Sequence, residues 1–155
     1  MKAPFHSILC PTDLSPVGNL AVAVAYLLAA KGGTVHLLHV DAPAKGNPLY
    51  PEDRPKGAPT PAQIEAAKVE VRRKLNALVP ADSAARGVAT QIDFAEGEDI
   101  PLAIEGAART RKTDVVVLAS YGSWGVSRIV HGESVAMRLL HRPDLDVIVV
   151  HSDKP

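Results

Sequence analysis

Glycines at positions 122, 125 and 132 fall in a Gly- and Ser-rich stretch, residues 118–136 (LASYGSWGVSRIVHGESVA), which an apolar strand enters and a short helix leaves. Backbone without Cβ atoms bends freely and exposes its N–H groups. A helix start at Ser134 adds unpaired donors and the positive end of a dipole. The chemistry that suits these residues is the holding of an anion, such as a phosphate. The plainer reading is a flexible loop ahead of an ordinary N-cap at Ser134. Ser120 and Ser123 add hydroxyls to the same stretch. Arg128 is either a phosphate partner or a solvated surface cation. Trp124 covers a pocket, stacks on a base or packs in a contact with another chain. His131 adds a titratable ring beside the glycines.

Other chemistry is poorly supplied. His36 and His39 lie three apart on a strand, hence on opposite faces, which argues against a shared metal. Cys10 closes an apolar strand and reads as buried packing rather than as a nucleophile. The chain has no nucleophile elbow, no P-loop and no zinc-ligand spacing. With no evident pair of base and nucleophile, a dedicated enzyme is not expected.

The chain has 155 residues, of which 46% are apolar, and its 17 basic residues match 17 acidic ones. That length suits one domain over residues 1–155 with a proper core. A balanced charge argues against nucleic acid or an anionic membrane as the main partner, since either favours a basic excess. The longest apolar run, residues 20–30, falls short of the about 20 residues that cross a bilayer. The opening MKAPFHS lacks the apolar core of a signal peptide. A single cysteine excludes an internal disulfide framework and fits a reducing compartment. A cytoplasmic location is therefore expected.

The elements that must position these residues alternate. Residues 6–10 read as a strand, followed by PTDLSP. Ser15 is placed to cap a helix with Pro16 at its first position, and Lys31-Gly32-Gly33 is placed to end it. That helix, residues 17–30, is apolar nearly all round, so a sheet and another helix are expected to cover it. Residues 34–40 read as a strand buried on both faces. Residues 41–60, rich in proline, read as a long surface loop or lid. Thr60-Pro61-Ala62-Gln63 has the form of a capping box. Behind it, Ile64, Ala67, Val71, Leu75 and Leu78 line one helical face up to Pro80. Residues 88–95 alternate as a strand, Ile100, Ile104 and Ala107 mark a third helix, and residues 114–119 form a fourth strand. A fourth helix over 134–141 and a last strand over 146–151 complete the series. Five strands alternating with four helices predict an open α/β sheet with right-handed crossovers. Ligands of such sheets bind beyond the carboxyl ends of strands, where the strand order reverses. The loops after strands one and four are the best-equipped mouths.

Several of these stretches together resemble the universal stress protein family: PTDLS at residues 11–15, LLHV at 37–40, DVVVLAS-Y-G before the glycine loop, and SVAMRLL…DVIVV near the end. The likeness runs over nearly the whole chain and is weakest across 41–60. It implies a parallel sheet in the order 3-2-1-4-5 with helices on both faces. It also implies a homodimer joined through the last strand (Val147, Ile148, Val149 and Val150), an unidentified protein partner and, in one branch, an adenine nucleotide in the crevice. Carried onto this sequence, the nucleotide site comprises Pro11, Thr12, Asp13, Val40, Leu118, Ala119, Gly122, Gly132, Ser134 and Val135. Asp13 matches the aspartate near the adenine pocket, although a turn residue bonding nearby amides would look the same. Val40 matches the adenine-packing position, although strand ends are often plain core. The ligand implied is ATP or AMP, with Mg²⁺ if ATP.

The nucleotide-binding branch carries Gly, two residues, Gly, nine residues, then Gly followed by Ser or Thr. Gly122 and Gly132 keep that spacing, but Ala119 replaces the first glycine and Glu133 intervenes before Ser134. The Ala119 methyl restricts φ where backbone should approach the ligand. A carboxylate ~5 Å from a phosphate, at an effective dielectric of ~20, costs roughly 3 kcal/mol. That is on the order of a hundredfold in affinity. Glu133 pointing outward, holding Mg²⁺ or standing in for the anion at the helix start would lift the penalty. Two expectations follow: a regulatory protein that binds an adenine nucleotide between strands 1 and 4, or a nucleotide-free dimeric interaction protein of the other branch.

Overall fold

The computed structural model describes residues 4–41, 60–121 and 134–152. Five strands, β1 (Phe5–Pro11), β2 (Ala29–Asp41), β3 (Ala89–Glu96), β4 (Val115–Tyr121) and β5 (Val147–Ser152), pair in the order β3-β2-β1-β4-β5. Every pairing is parallel. Helices α1 (Leu20–Leu28), α2 (Pro61–Ala77), α3 (Ile100–Arg111) and α4 (Val135–Leu140) connect them. The expected α/β class and the order 3-2-1-4-5 are both observed.

Side-chain alternation sorts the strands into two cores. Ile8 and Cys10 of β1, Val35 and Leu37 of β2, and Val115 and Val117 of β4 pack with Ala21, Val22, Ala25 and Tyr26 of α1 and with Val71 and Leu75 of α2. Their neighbours Leu9, Leu38, Val116 and Leu118 face the other way, onto Ile104 and Ala108 of α3 and Ala136 and Leu139 of α4. A strand apolar at every position is what a sheet covered on both faces requires. Cys10 is fully buried, and burial pushes its thiol up to about 12. It is packing, as its sequence setting suggested.

Local signals place the helix ends. Thr60 and Gln63 form the reciprocal capping box in front of α2, with Pro61 in the first turn. Asp99 caps α3 through the Leu102 N–H, 3.0 Å away, and Ser134 caps α4 through the Met137 N–H, 3.2 Å away. Lys112 closes α3 in the left-handed conformation.

Helix α1 departs from expectation at both ends. Ser15 does cap a turn: its hydroxyl accepts the Gly18 N–H at 3.0 Å, and its carbonyl accepts that of Asn19. Continuous α-helix, however, starts only at Leu20. At the other end Ala29 is already extended and pairs with Phe5, so β2 begins five residues before the expected Thr34. The glycines there allow an irregular join rather than simply stopping a helix. Gly32 has φ +80°, and a Cβ on Gly33 would press on the carbonyls of Ala30, His6 and Phe5. The expectation that α1 is covered all round also fails: Leu20 and Leu27 are 44% and 73% exposed. The helix meets the sheet on one side, and its apolar outer face is open to water. Among the described residues no helix is long and apolar enough to cross a membrane.

Candidate functional site

A cleft of about 260 Å³ opens where β1 and β4 end side by side. This is the point at which the crossovers reverse direction: β1 leads leftward to β2, whereas β4 leads rightward to β5. Its floor is apolar. Leu38 and Val40 of β2 and Leu118 and Ala119 of β4 contribute to it, and Ile100 and Ile104 of α3 form a side wall. Pro11, Thr12 and Asp13 leave β1 along one lip, and Ser134, Val135 and Ala136 enter α4 along the other. Ser15, Val17, Gly18 and Ser120 complete the rim.

The turn after β1 is held by its own hydrogen bonds. Thr12 is 6% exposed, and all its polar groups are engaged. Its N–H donates to Leu38 O at 3.0 Å, its hydroxyl donates to Asn19 Oδ1 at 2.9 Å, and that oxygen accepts the Leu14 N–H at 3.0 Å. His39 Nδ1 lies 3.2 Å from the Thr12 carbonyl. Asn19 Nδ2 donates in turn to Leu14 O at 3.4 Å. With its side chain committed to this turn, Asn19 makes no capping bond to α1. Leu14 sits at φ +63°, a region that branched residues seldom adopt. These bonds hold it there.

Asp13 is exposed and points its carboxylate at the rim, where one oxygen accepts the Ser15 N–H at 2.9 Å. Gly18 makes that placement possible. A Cβ there would collide with Asp13 Oδ1 and lie 3.1 Å from Thr12 Oγ1. Asp13 is the one charged residue among the described residues that line the cleft. The charges at its edge are paired elsewhere. Arg138 of α4 donates to Asp99 Oδ2 at 2.7 Å while Asp99 caps α3, so the pair ties together the helices that carry Ile100 and Val135. The Arg138 bond, followed by the Leu102 N–H, holds the Asp99 carboxyl below the usual carboxylate range.

Of the residues expected at a nucleotide site, Pro11, Thr12, Asp13, Val40, Leu118, Ala119, Ser134 and Val135 come together in this cleft. Gly122 and Gly132 lie outside the described residues, as do Ser123, Trp124, Gly125, Arg128, His131 and Glu133. Thr12 serves the fold: its one hydroxyl proton goes to Asn19. Ser134 likewise directs its hydroxyl to its own helix. Sequence reading missed the Ile100–Ile104 wall, because an i, i+4 apolar pair looks the same whether it faces core or cleft. It also missed Leu38, Val17 and Gly18. The two strand histidines do lie on opposite faces. His36 bonds Asp93 at 3.1 Å, and Arg111 bonds the other oxygen of Asp93. Among the described residues no cluster of three His, Cys, Asp or Glu side chains is placed to hold a metal.

The sequence profile of the universal stress protein family matches residues 4–151. The chain belongs to the universal stress protein family. No curated protein matches it by sequence. Among solved structures, it is similar to a universal stress protein family member from Burkholderia pseudomallei (23% identity, TM-score 0.64), with 97% of this chain and 98% of that one covered. A universal stress protein in complex with cAMP is similar at 20% identity and TM-score 0.63, with 97% and 98% covered. Universal stress protein UspA from Lactobacillus plantarum follows at 21% and 0.59, with 96% and 99% covered. At these identities the likeness speaks for the fold. The universal stress protein described here thus shares its architecture with all three.

Two outcomes follow from the site geometry. Gly18→Ala is expected to swing the Asp13 carboxylate off the Ser15 amide at a stability loss of about 1 kcal/mol. Amide spectra are expected to show the Ser15 signal displaced and β4 unmoved; an undisturbed Ser15 signal would contradict the collision. Asp99, whose folded carboxyl titrates below its unfolded value, stabilises the fold above that unfolded value. The contribution disappears as pH falls through the folded one. Asp99→Asn keeps a capping oxygen but removes the charge. Denaturant unfolding at about pH 7 and about pH 3 is therefore expected to show a gap between wild type and variant that narrows on acidification. A gap of equal size at both pH values would show that the carboxylate charge plays no part.

Proposed function

We propose that this universal stress protein binds an adenine nucleotide, ATP or AMP, with base and sugar in the cleft between β1 and β4, and that it acts as a cytoplasmic regulatory protein rather than as an enzyme. The observation that carries this reading is the cleft itself: an apolar floor of Leu38, Val40 and Leu118 beneath a rim of Asp13, Ser15 and Ser120. A flat ring needs apolar faces and a few fixed polar groups at its edge. At about 260 Å³ the space lies just below the ~300–1,000 Å³ range of small-molecule sites. It suits a base with its sugar, leaving the phosphates to the rim. The structurally similar protein solved with cAMP supports an adenine ligand. Were ATP bound, Mg²⁺ would arrive on its phosphates. A bound nucleotide would change the surface around the cleft, and a protein partner would read that change.

The second reading, a nucleotide-free interaction protein, draws on two observations. Ala119 lines the cleft with a methyl group, and no lysine or arginine is among the described lining residues. Both readings include a homodimer. Among the described strands, β5 lies at the sheet edge and is bonded only to β4. Its Ile148 and Val150 lean on one core, and Val147 and Val149 on the other. Met137 and Leu140 of α4 are 46% and 48% exposed. An apolar edge strand of this kind pairs readily with a second copy.

Thermal melts with ATP, AMP and cAMP, with and without Mg²⁺, test the first reading. Ligand at a hundred times Kd adds about 2.7 kcal/mol, a rise of several degrees, which Asp13→Ala is expected to reduce. If no ligand shifts the melt at millimolar concentration, the nucleotide-free reading stands instead. For the dimer, sedimentation at micromolar concentration is expected to give twice the chain mass; a single-chain mass would refute pairing through β5.

A further inference from the structure

We infer that His39 is the positioning residue of the cleft: a hydrogen-bonded tether from the underside of β2 that fixes the turn after β1. The position is an unusual one for a histidine. His39 is 3% exposed and stands on the face of β2 that carries Val35 and Leu37, opposite the cleft residues Leu38 and Val40. A side chain pointing into an apolar core at that register would ordinarily be aliphatic.

The ring is satisfied at one end only. Nδ1 lies 3.2 Å from the Thr12 carbonyl oxygen, whereas the buried Nε2 has no hydrogen-bond partner among the described residues. A carbonyl accepts and cannot donate, so Nδ1 carries the proton and Nε2 is left as a bare acceptor. An orphaned buried nitrogen is unfavourable, and such groups call for an explanation. Here the explanation lies at the other end of the ring. Thr12 is where β1 leaves the sheet, and its remaining polar groups bind Leu38, Leu14 and Asn19. Among the described residues, the His39 bond is the one that holds its carbonyl. Fixing that peptide plane fixes the start of Asp13, the charged rim residue, and helps to keep Leu14 at its positive φ. β2 therefore serves the cleft from both faces: Val40 forms the floor, and its neighbour His39 anchors the lip.

The inference rests on the nucleotide reading for one arm of its test only. His39→Leu removes the donor while keeping an apolar side chain, and His39→Asn returns an N–H at the position of Nδ1. In the full chain, ¹⁵N spectra of the wild-type imidazole are expected to show the proton on Nδ1; a proton on Nε2 overturns the tether. Hydrogen exchange at the Leu14 and Ser15 amides is expected to quicken about tenfold in His39→Leu, equivalent to about 1.4 kcal/mol. It is expected to return near the wild-type rate in His39→Asn, with the β4 amides unchanged in both. Equal exchange in the two variants, or acceleration throughout the sheet, assigns His39 to general packing and refutes the inference. AMP affinity is expected to follow the same order, weaker in the leucine variant and restored in the asparagine variant. A wild-type chain that binds no adenine nucleotide defeats the proposed function, while the imidazole and exchange measurements still decide the role of His39.

Discussion

A parallel sheet covered on both faces can offer a ligand only the ends of its strands, and the rest of this structure depends on that constraint. Ile8, Leu9, Val116 and Val117 are sealed between helix layers. A ligand cleft is therefore expected at the strand ends, and the carboxyl ends where the crossovers part offer one. β1 and β4 end side by side at that place. The turn after β1 then has to leave a buried strand without abandoning its polar backbone groups, and Thr12 solves that problem. Its amide stays on β2, its carbonyl takes a histidine proton, and its hydroxyl bonds forward into the turn. The geometry of the lip is thus settled by backbone satisfaction before any ligand arrives.

Charge is distributed accordingly. The described floor of the cleft is uncharged, and Asp13 is the one charged residue among the described rim residues. The ionised groups that do cluster are structural. Arg138 and Asp99 join α4 to α3, and the buried Glu105 on α3 meets Arg109 of the same helix and Arg142 beyond α4. Arg142 Nε lies 3.1 Å from Glu105 Oε2 but at an angle too poor for a hydrogen bond, so that contact is an ion pair alone. Such pairs align two helices more than they add stability. Because those helices carry Ile100, Ile104 and Val135, the width of the cleft is set partly by arginines that never touch it.

The likeness to solved universal stress proteins, at identities near one in five, fits this division of labour. Burial of a two-faced parallel sheet asks only for apolar residues of suitable volume, so the fold persists while individual residues change. Function is carried by few positions on that frame. Ala119 lines the cleft with a methyl group while its strand keeps its pairing with β5.

Much of the frame was legible in the chain because it depends on local rules. Strands with no polar face announced a sheet covered on both sides. Thr60–Gln63, Asp99 and Ser134 act through bonds spanning three residues, and spacing alone exposes the capping box at Thr60 and the cap at Ser134. The motif PTD at the end of β1 placed one lip of the cleft. The start of β2 was not legible: the Lys31-Gly32-Gly33 segment suits a helix stop and an irregular strand join equally well, and pairing of Ala29 with Phe5 decides between them. Nor was the open outer face of α1, since an all-apolar helix does not declare which side the rest of the chain will reach. The chain by itself determined element types, facing and the general position of the cleft, because these follow from periodicity along a backbone. Only the tertiary structure decided that Ile104 walls the cleft, that Asn19 serves the Thr12 turn rather than its own helix, and that His39 reaches the Thr12 carbonyl. Each depends on contacts between strands and helices that no spacing along the chain encodes.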